Sequence, residues 1–259
     1  KYMSKPILGI IGGGQLGSML ATAAKKINIK TVIFCDDPDA PGQKFSDEFI
    51  CGKYDDQNAI DQFINAVDII TFEFENIPYE TLKKINNVKP VVPHPSINKI
   101  VQNRLTEKDF LNKLNIRTTQ YTSVNNLKDI FSNENLIPGL LKTCTLGYDG
   151  KGQYKINSIK ELTNENINFN NKYILEKLVK LKKEISVIIT RFKDEKCEIY
   201  EPIENTHEDQ ILKHSKIPAD INENILEQSK KWSKMIAEEL KYIGTLCVEF
   251  FIDKNDNLY

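Results

Sequence analysis

The stretch Leu140–Ile156 reads LLKTCTLGYDGKGQYKI. It opens as an apolar run, breaks into a loop carrying Gly147, Gly150 and Gly152, and leaves on the alternation of a strand, Gln153 to Ile156. Strand, glycine-rich loop and strand together predict a hairpin. A Walker A loop needs G-x-x-x-x-G-K-[ST] opening a helix; here Lys151 precedes Gly152 and a strand follows. A glycine-rich hairpin can still close over a triphosphate through its backbone N–H groups. Lys142, at the end of the entering strand, would reach phosphate oxygens as a point charge. The plainer alternative is a flexible hairpin with exposed lysines. Tyr148 and Asp149 between the glycines argue for a lid, because a lid has to close over something.

Towards the N-terminus the grain is different. ILGII, KTVIFCD and DIITFEFE are apolar runs of the kind that strands buried on both faces require. Between them Leu16, Met19, Leu20, Ala23 and Ile27 repeat with helical spacing, as do Ile60, Phe63, Ile64 and Val67. A helix at about Pro78–Asn86 and a strand at PVVP follow. This alternation predicts right-handed crossovers and a parallel, Rossmann-like sheet over residues 1–100. GGGQLG, at Gly12–Gly17, fits the G-x-G-x-x-G turn, and Asp36 and Asp37 fall where a ribose carboxylate belongs in an NAD site. An NAD-linked dehydrogenase is therefore one reading of this half, but a fold does not fix a function, and the second half lacks a hydride-acceptor constellation.

Residues 101–259 are expected to be α+β. NRLTEKDFLNKLNI reads as a helix. GLLKT, GQYKI, YILEKLV, EISVIITRF and CEIYEPI read as hairpin strands. A helix spans about Asn222–Lys241, with Ile225, Trp232, Ile236 and Leu240 on one side, and the last strand is GTLCVEFFI. The turn DKND then precedes Tyr259, where a partner strand should begin, so further residues are expected beyond 259: C-terminal strands and any third domain.

Composition excludes several classes. Thirty-five Lys and Arg against thirty-six Asp and Glu leave a net charge of −1, which gives no handle for nucleic acid or a charged membrane. No apolar run approaches a membrane span. Five dispersed cysteines without a C-x-x-C pair read as reduced thiols, and a cytoplasmic protein is expected.

GGGQLG, TFEFENIP, GYDGKGQ, EKLV, HEDQILKHSKIPA and VEFF stand in the order and spacing of the 5-(carboxyamino)imidazole ribonucleotide synthases of purine biosynthesis, members of the ATP-grasp superfamily. The chain resembles this family along its whole length. The resemblance implies a Rossmann-like pre-ATP-grasp domain followed by an ATP-grasp domain. It implies that ATP phosphorylates bicarbonate to carboxyphosphate, whose carboxyl group, released locally as carbon dioxide, passes to the exocyclic amine of aminoimidazole ribonucleotide. It also implies ATP and magnesium as cofactors and a homodimer.

Residue roles follow by motif. Arg104 and Lys142 would contact ATP phosphates. Gly147, Tyr148, Asp149, Gly150, Lys151, Gly152 and Gln153 would form the lid, with Lys142, Tyr148, Asp149 and Lys151 catalytic and the last three also facing substrate. Glu176, Lys177, Leu178 and Val179 would form the hinge whose backbone pairs with adenine. Glu184 would bind ribose hydroxyls, and His207 would serve the nucleotide site. Gly14, Gln15, Leu16, Glu73 and Glu75 would border the substrate nucleotide, the two carboxylates sharing one strand face. Glu249, a carboxylate in an apolar strand, would bind magnesium, since burying it unpaired is costly. The plainer alternatives are solvated strand carboxylates at Glu176 and Glu184 and a solvent-facing edge at Glu73 and Glu75. Ser18, Leu146 and Lys151 depart from the family pattern. Other ATP-grasp ligases, a formate-using glycinamide ribonucleotide transformylase or a biotin-carboxylase-like subunit, remain as alternatives.

Overall fold

The structure, a computed structural model, describes residues 5–73, 75–146, 152–164, 167–208 and 211–259. The chain divides into two compact units, Lys1–Lys99 and Ile100–Tyr259.

The first unit is built on four parallel strands, β1 (Leu8–Ile11), β2 (Thr31–Cys35), β3 (Glu48–Cys51) and β4 (Ile69–Phe72), in the spatial order β3-β2-β1-β4. Helix α2 (Gln57–Ala66) starts where the Asp56 carboxylate accepts hydrogen bonds from the Asn58 and Ala59 amides, 2.9 and 3.4 Å away. That satisfies donors that the first helical turn leaves open. Its Ile60, Phe63 and Ile64 are buried, and Phe63 meets the Phe34 ring at 5.5 Å. With Ile70 and, from α3 (Tyr79–Asn86), Leu82 and Ile85, they form the main core of the unit.

Helix α1 (Gln15–Lys26) forms where the spacing places it, and most of its large apolar side chains do not face the sheet. Gly17, Ser18, Ala21 and Ala24 face the sheet, while Leu16, Met19 and Ile27 are 57%, 60% and 59% exposed. The helix lies so close to the glycine turn that a Cβ at Gly17 would stand 2.5 Å from the Gly12 carbonyl oxygen. Only small side chains fit there, so the large apolar ones point outward. Other differences are local. PVVP supplies one bridge, Val91 to Ile70, and β3 and α4 (Pro95–Val101) join the expected elements.

The second unit contains two sheets. After α5 (Arg104–Lys113), the strands β5 (Tyr121–Val124), β6 (Gly139–Thr143), β7 (Gln153–Ile156) and β8 (Tyr173–Lys177) pair antiparallel in the order β5-β8-β6-β7, with α6 (Leu127–Phe131) after β5. One face carries the apolar cluster of Val124, Leu141, Ile156, Tyr173 and Leu175. The second sheet centres on β9 (Leu181–Arg191). CEIYEPI divides into the short β10 (Cys197–Ile199) and the start of β11 (Ile203–Glu208), both on one edge of β9. β12 (Ile211–Lys216) pairs with β11, and β13 (Gly244–Asp253) lies along the other edge of β9.

Helix α7 (Glu223–Glu239), capped by Asn222, packs on one face of this sheet, with Trp232 stacked on Phe250 at 6.3 Å. After β13 the chain turns back, and Phe251 and Tyr259 exchange both backbone hydrogen bonds. Among the described residues no helix is long and apolar enough to cross a membrane.

Candidate active site

In the first unit β1 has β2 on one side and β4 on the other, so the crevice between the carboxyl ends of β1 and β4 is the place where open parallel sheets bind ligands. The glycine turn follows β1 here. Gly12 holds φ +101°, a conformation that side chains resist, and a Cβ there would lie 2.7 Å from Glu73 Oε1. The Gly14 N–H, the amide that would meet an anion, donates instead to Glu73 Oε1 at 3.2 Å. Burial holds the Glu73 carboxyl above its ordinary range, with the Gly14 bond opposing. A carboxylate in that seat repels a pyrophosphate, which removes the support for a dinucleotide site.

Strand β4 ends at Phe72, so Glu73 and Glu75 do not share a strand face: Glu73 sits in a bend and Glu75 in the turn after it, and Phe74 lies outside the described residues. Gln15 and Leu16 open α1 with exposed side chains. Ser18 is buried, its hydroxyl donating to the Gly14 carbonyl at 2.9 Å.

In the second unit the face of the β5-β8-β6-β7 sheet opposite its apolar cluster carries Lys142 and Glu176. Glu176 is not a solvated strand carboxylate: it is 7% exposed. Its Oε2 lies 2.7 Å from Lys142 Nζ and its Oε1 3.4 Å from Lys108 Nζ. Burial alone would raise its pKa, but the two ammonium groups outweigh it and hold the carboxyl below the usual range. Arg104 begins α5, capped by Asn103. Its amide donates to the Cys144 carbonyl at 2.9 Å and its guanidinium to the Thr143 carbonyl at 3.1 Å. Arg104 is thus tied to the end of β6, while Lys108 and Lys142 meet at Glu176. In the hinge the Lys177 and Leu178 amides already donate to the Gln120 and Pro138 carbonyls, at 2.8 and 3.0 Å.

The lid residues Gly147, Tyr148, Asp149, Gly150 and Lys151 lie outside the described residues. Its two ends are described: Leu146 holds φ 60°. Gly152 holds φ +67°, with its carbonyl accepting from the Thr143 amide at 3.0 Å. Gln153 opens β7 opposite Lys142.

The second sheet presents Ile185, Val187 and Phe250 to α7, which leaves Glu184, Ser186, Cys247, Glu249 and Phe251 on the other face. There His207 Nδ1 lies 2.6 Å from Glu184 Oε2, and Asn205 donates to Ser186. Glu249, opposite Ser186, is exposed and therefore pays no burial cost. Among the described residues no group of three His, Cys, Asp or Glu gathers to hold a metal. Magnesium is held by one or two carboxylates together with substrate phosphates and water, so Glu249 would by itself be one contact of such a set.

Family models match both parts of the chain: the ribonucleotide synthetase preATP-grasp domain over residues 4–102 and the ATP-grasp domain over residues 109–259. An N5-carboxyaminoimidazole ribonucleotide synthase of Staphylococcus aureus (strain MRSA252) is 37% identical over 256 residues, 97% of this chain and 68% of the relative. The chain belongs to the N5-carboxyaminoimidazole ribonucleotide synthase family, within the ATP-grasp superfamily. A Brucella melitensis member is 36% identical over 97% of this chain and 71% of its own length. Among solved members of the family, an ADP complex superposes with TM-score 0.92 at 34% identity, covering 99% of this chain and 70% of the other. The S. aureus synthetase complexed with ADP gives 0.91 at 36%, covering 98% and 68%.

The site residue that sequence reasoning missed is Lys108. Its signal was helical register alone: four positions after Arg104, it shares a face of α5 with it.

Proposed function

We propose that this chain uses ATP and bicarbonate to carboxylate the exocyclic amine of aminoimidazole ribonucleotide, giving 5-(carboxyamino)imidazole ribonucleotide, ADP and phosphate in purine biosynthesis. The observation that carries this reading is the 37% identity, across 97% of the chain, to a synthase of that name. In the reaction a bicarbonate oxygen attacks the γ-phosphorus, the bond to the β-phosphate oxygen breaks, and ADP leaves. Carboxyphosphate then releases phosphate, and the carboxyl carbon bonds the amine, which gives up a proton.

The roles proposed for the residues follow from what such a transfer needs. Phosphoryl transfer is mostly positioning and charge neutralisation. The cations Arg104 and Lys142 suit the phosphates. Adenine would lie against the hinge Glu176–Val179. Because the Lys177 and Leu178 amides are engaged, it would pair with the Val179 amide and the hinge carbonyls. Glu184, steadied by His207, would take the ribose hydroxyls. A labile carboxyphosphate needs a dry site, which is the work assigned to the lid Gly147–Gln153 with Tyr148, Asp149 and Lys151. Glu73, Glu75, Gly14, Gln15 and Leu16 would border the aminoimidazole nucleotide. Bicarbonate, a homodimer and a cytoplasmic setting belong to the same proposal and rest on the family. Magnesium rests on the family too, and Glu249 would supply an acidic contact for it.

The test is phosphate release from ATP. It should require both bicarbonate and aminoimidazole ribonucleotide. Turnover with formate and glycinamide ribonucleotide instead, or NADH oxidation without ATP, would overturn the reading.

A further inference from the structure

One carboxylate, Glu176, faces two ammonium groups in a part-buried pocket, and only Lys142 of the two has a role so far. Lys108 is tethered from two sides. Its ammonium donates to Thr119 Oγ1 at 3.1 Å, lies 5.6 Å from the centre of the Tyr121 ring, and is mostly shielded from solvent. Tyr121 is itself anchored, donating to Asp109 at 2.6 Å and accepting from Asn112 at 2.9 Å. Lysine carries a large rotamer entropy, and here α5 and β5 have removed much of it.

We propose that Lys108 is a positioning residue for the nucleotide: it is the resident counter-ion of Glu176, and it thereby frees Lys142 to move to the phosphates. The inference rests on the nucleotide reading of this site. Lys142 lies closer to Glu176 than Lys108 does, 2.7 against 3.4 Å, so without ligand Lys142 is the tighter partner. When Lys142 turns to a phosphate, Glu176 would be left as a buried charge without a partner, a costly arrangement. With Lys108 fixed on Oε1, Glu176 keeps a cation throughout. The cluster also carries two positive charges against one negative, a surplus that suits an arriving polyanion. Without Lys108 the remaining pair is neutral and self-satisfied, and phosphate has to compete with Glu176 for Lys142.

The experiment titrates the full chain with ADP and, separately, with adenosine, which lacks the phosphates. Lys108→Met should weaken ADP by roughly 10- to 100-fold, the span of one charge-assisted contact, and adenosine by less than about threefold. Lys108→Arg should restore most of the ADP affinity. Adding Glu176→Gln to Lys108→Met should also recover ADP binding, because no anion then holds Lys142 back. If Lys108→Met binds ADP like the wild type, weakens ADP and adenosine alike, or gains nothing from Glu176→Gln, the proposal is overturned. A wild-type chain that binds no ADP overturns the nucleotide reading itself, a separate result.

Discussion

Replacing Gly12 by alanine probes the seat of Glu73. At φ +101° a side chain carries backbone strain of about 1–2 kcal/mol. The new Cβ would stand 2.7 Å from Glu73 Oε1 and 2.8 Å from its Cγ, closer than side chains tolerate. Glu73 has to withdraw, and the 3.2 Å bond from the Gly14 amide goes with it. A hydrogen bond to a charged group is worth about 1.5–3 kcal/mol, and the half-open setting of Glu73 argues for about 1–2. Gly12→Ala should therefore cost about 2–4 kcal/mol, a large part of a domain's usual 5–15. Urea unfolding followed by circular dichroism measures this. The same substitution in a Glu73→Ala background should cost only the strain, about 1–2 kcal/mol, since the clash and the bond are already gone. Equal costs in the two backgrounds, or a loss below about 0.5 kcal/mol in the wild type, would refute the account of the turn.

Three further outcomes follow from other parts of the molecule. Lys142→Ala should raise the KM for ATP by roughly tenfold or more with little change in unfolding midpoint, because Lys108 still pairs Glu176; wild-type ATP kinetics would end its phosphate role. Glu73→Gln keeps the acceptor and removes the charge. Burial raises the native carboxyl above 4.5, so the folded chain binds its proton more tightly than the unfolded one, and wild-type stability is fullest at acid pH and falls as pH rises through the folded value. The variant's advantage in urea should thus be absent below about pH 4 and grow above it, and a constant difference would contradict the assignment. Phe63→Ala, which empties the space against the Phe34 ring and above Gly9, should cost about 3–5 kcal/mol by thermal or urea unfolding, and a loss under about 1 would show that the core closes over the gap.

The parallel half was legible where strands are buried on both faces, as at Ile10, Ile33, Phe34 and Ile70, because such strands must be apolar throughout. β3 escaped notice because EFIC is short and flanked by Ser46, Asp47 and Gly52. The stripe on α1 was read correctly as helix, but which face the helix buries was not legible, since periodicity reports a face and not what that face meets. At the site, alternation along TFEFE extended a strand past Phe72, where the chain bends. Glu176 was read as part of the hinge, but its burial was not legible: its two lysines, 68 and 34 residues away in sequence, are brought to it only by the fold. Separations of that size leave no trace in a local pattern.

Strand β9 has pairing partners along both edges: β13 takes one edge from Leu181 to Arg191, and β11 and β10 share the other. Its amides therefore have no face from which water can enter without first parting a neighbour. In native-state hydrogen exchange the β9 core, Ile185 to Ile189, should be among the last segments to gain deuterium, opening only with the whole second sheet. β12, exposed throughout and paired among the described residues with β11, should exchange early. The face of β9 that carries Glu184 thus rides on the slowest-opening backbone of its unit, and a ribose bound there would rest on a support that stays closed while the hairpin beside it opens and shuts.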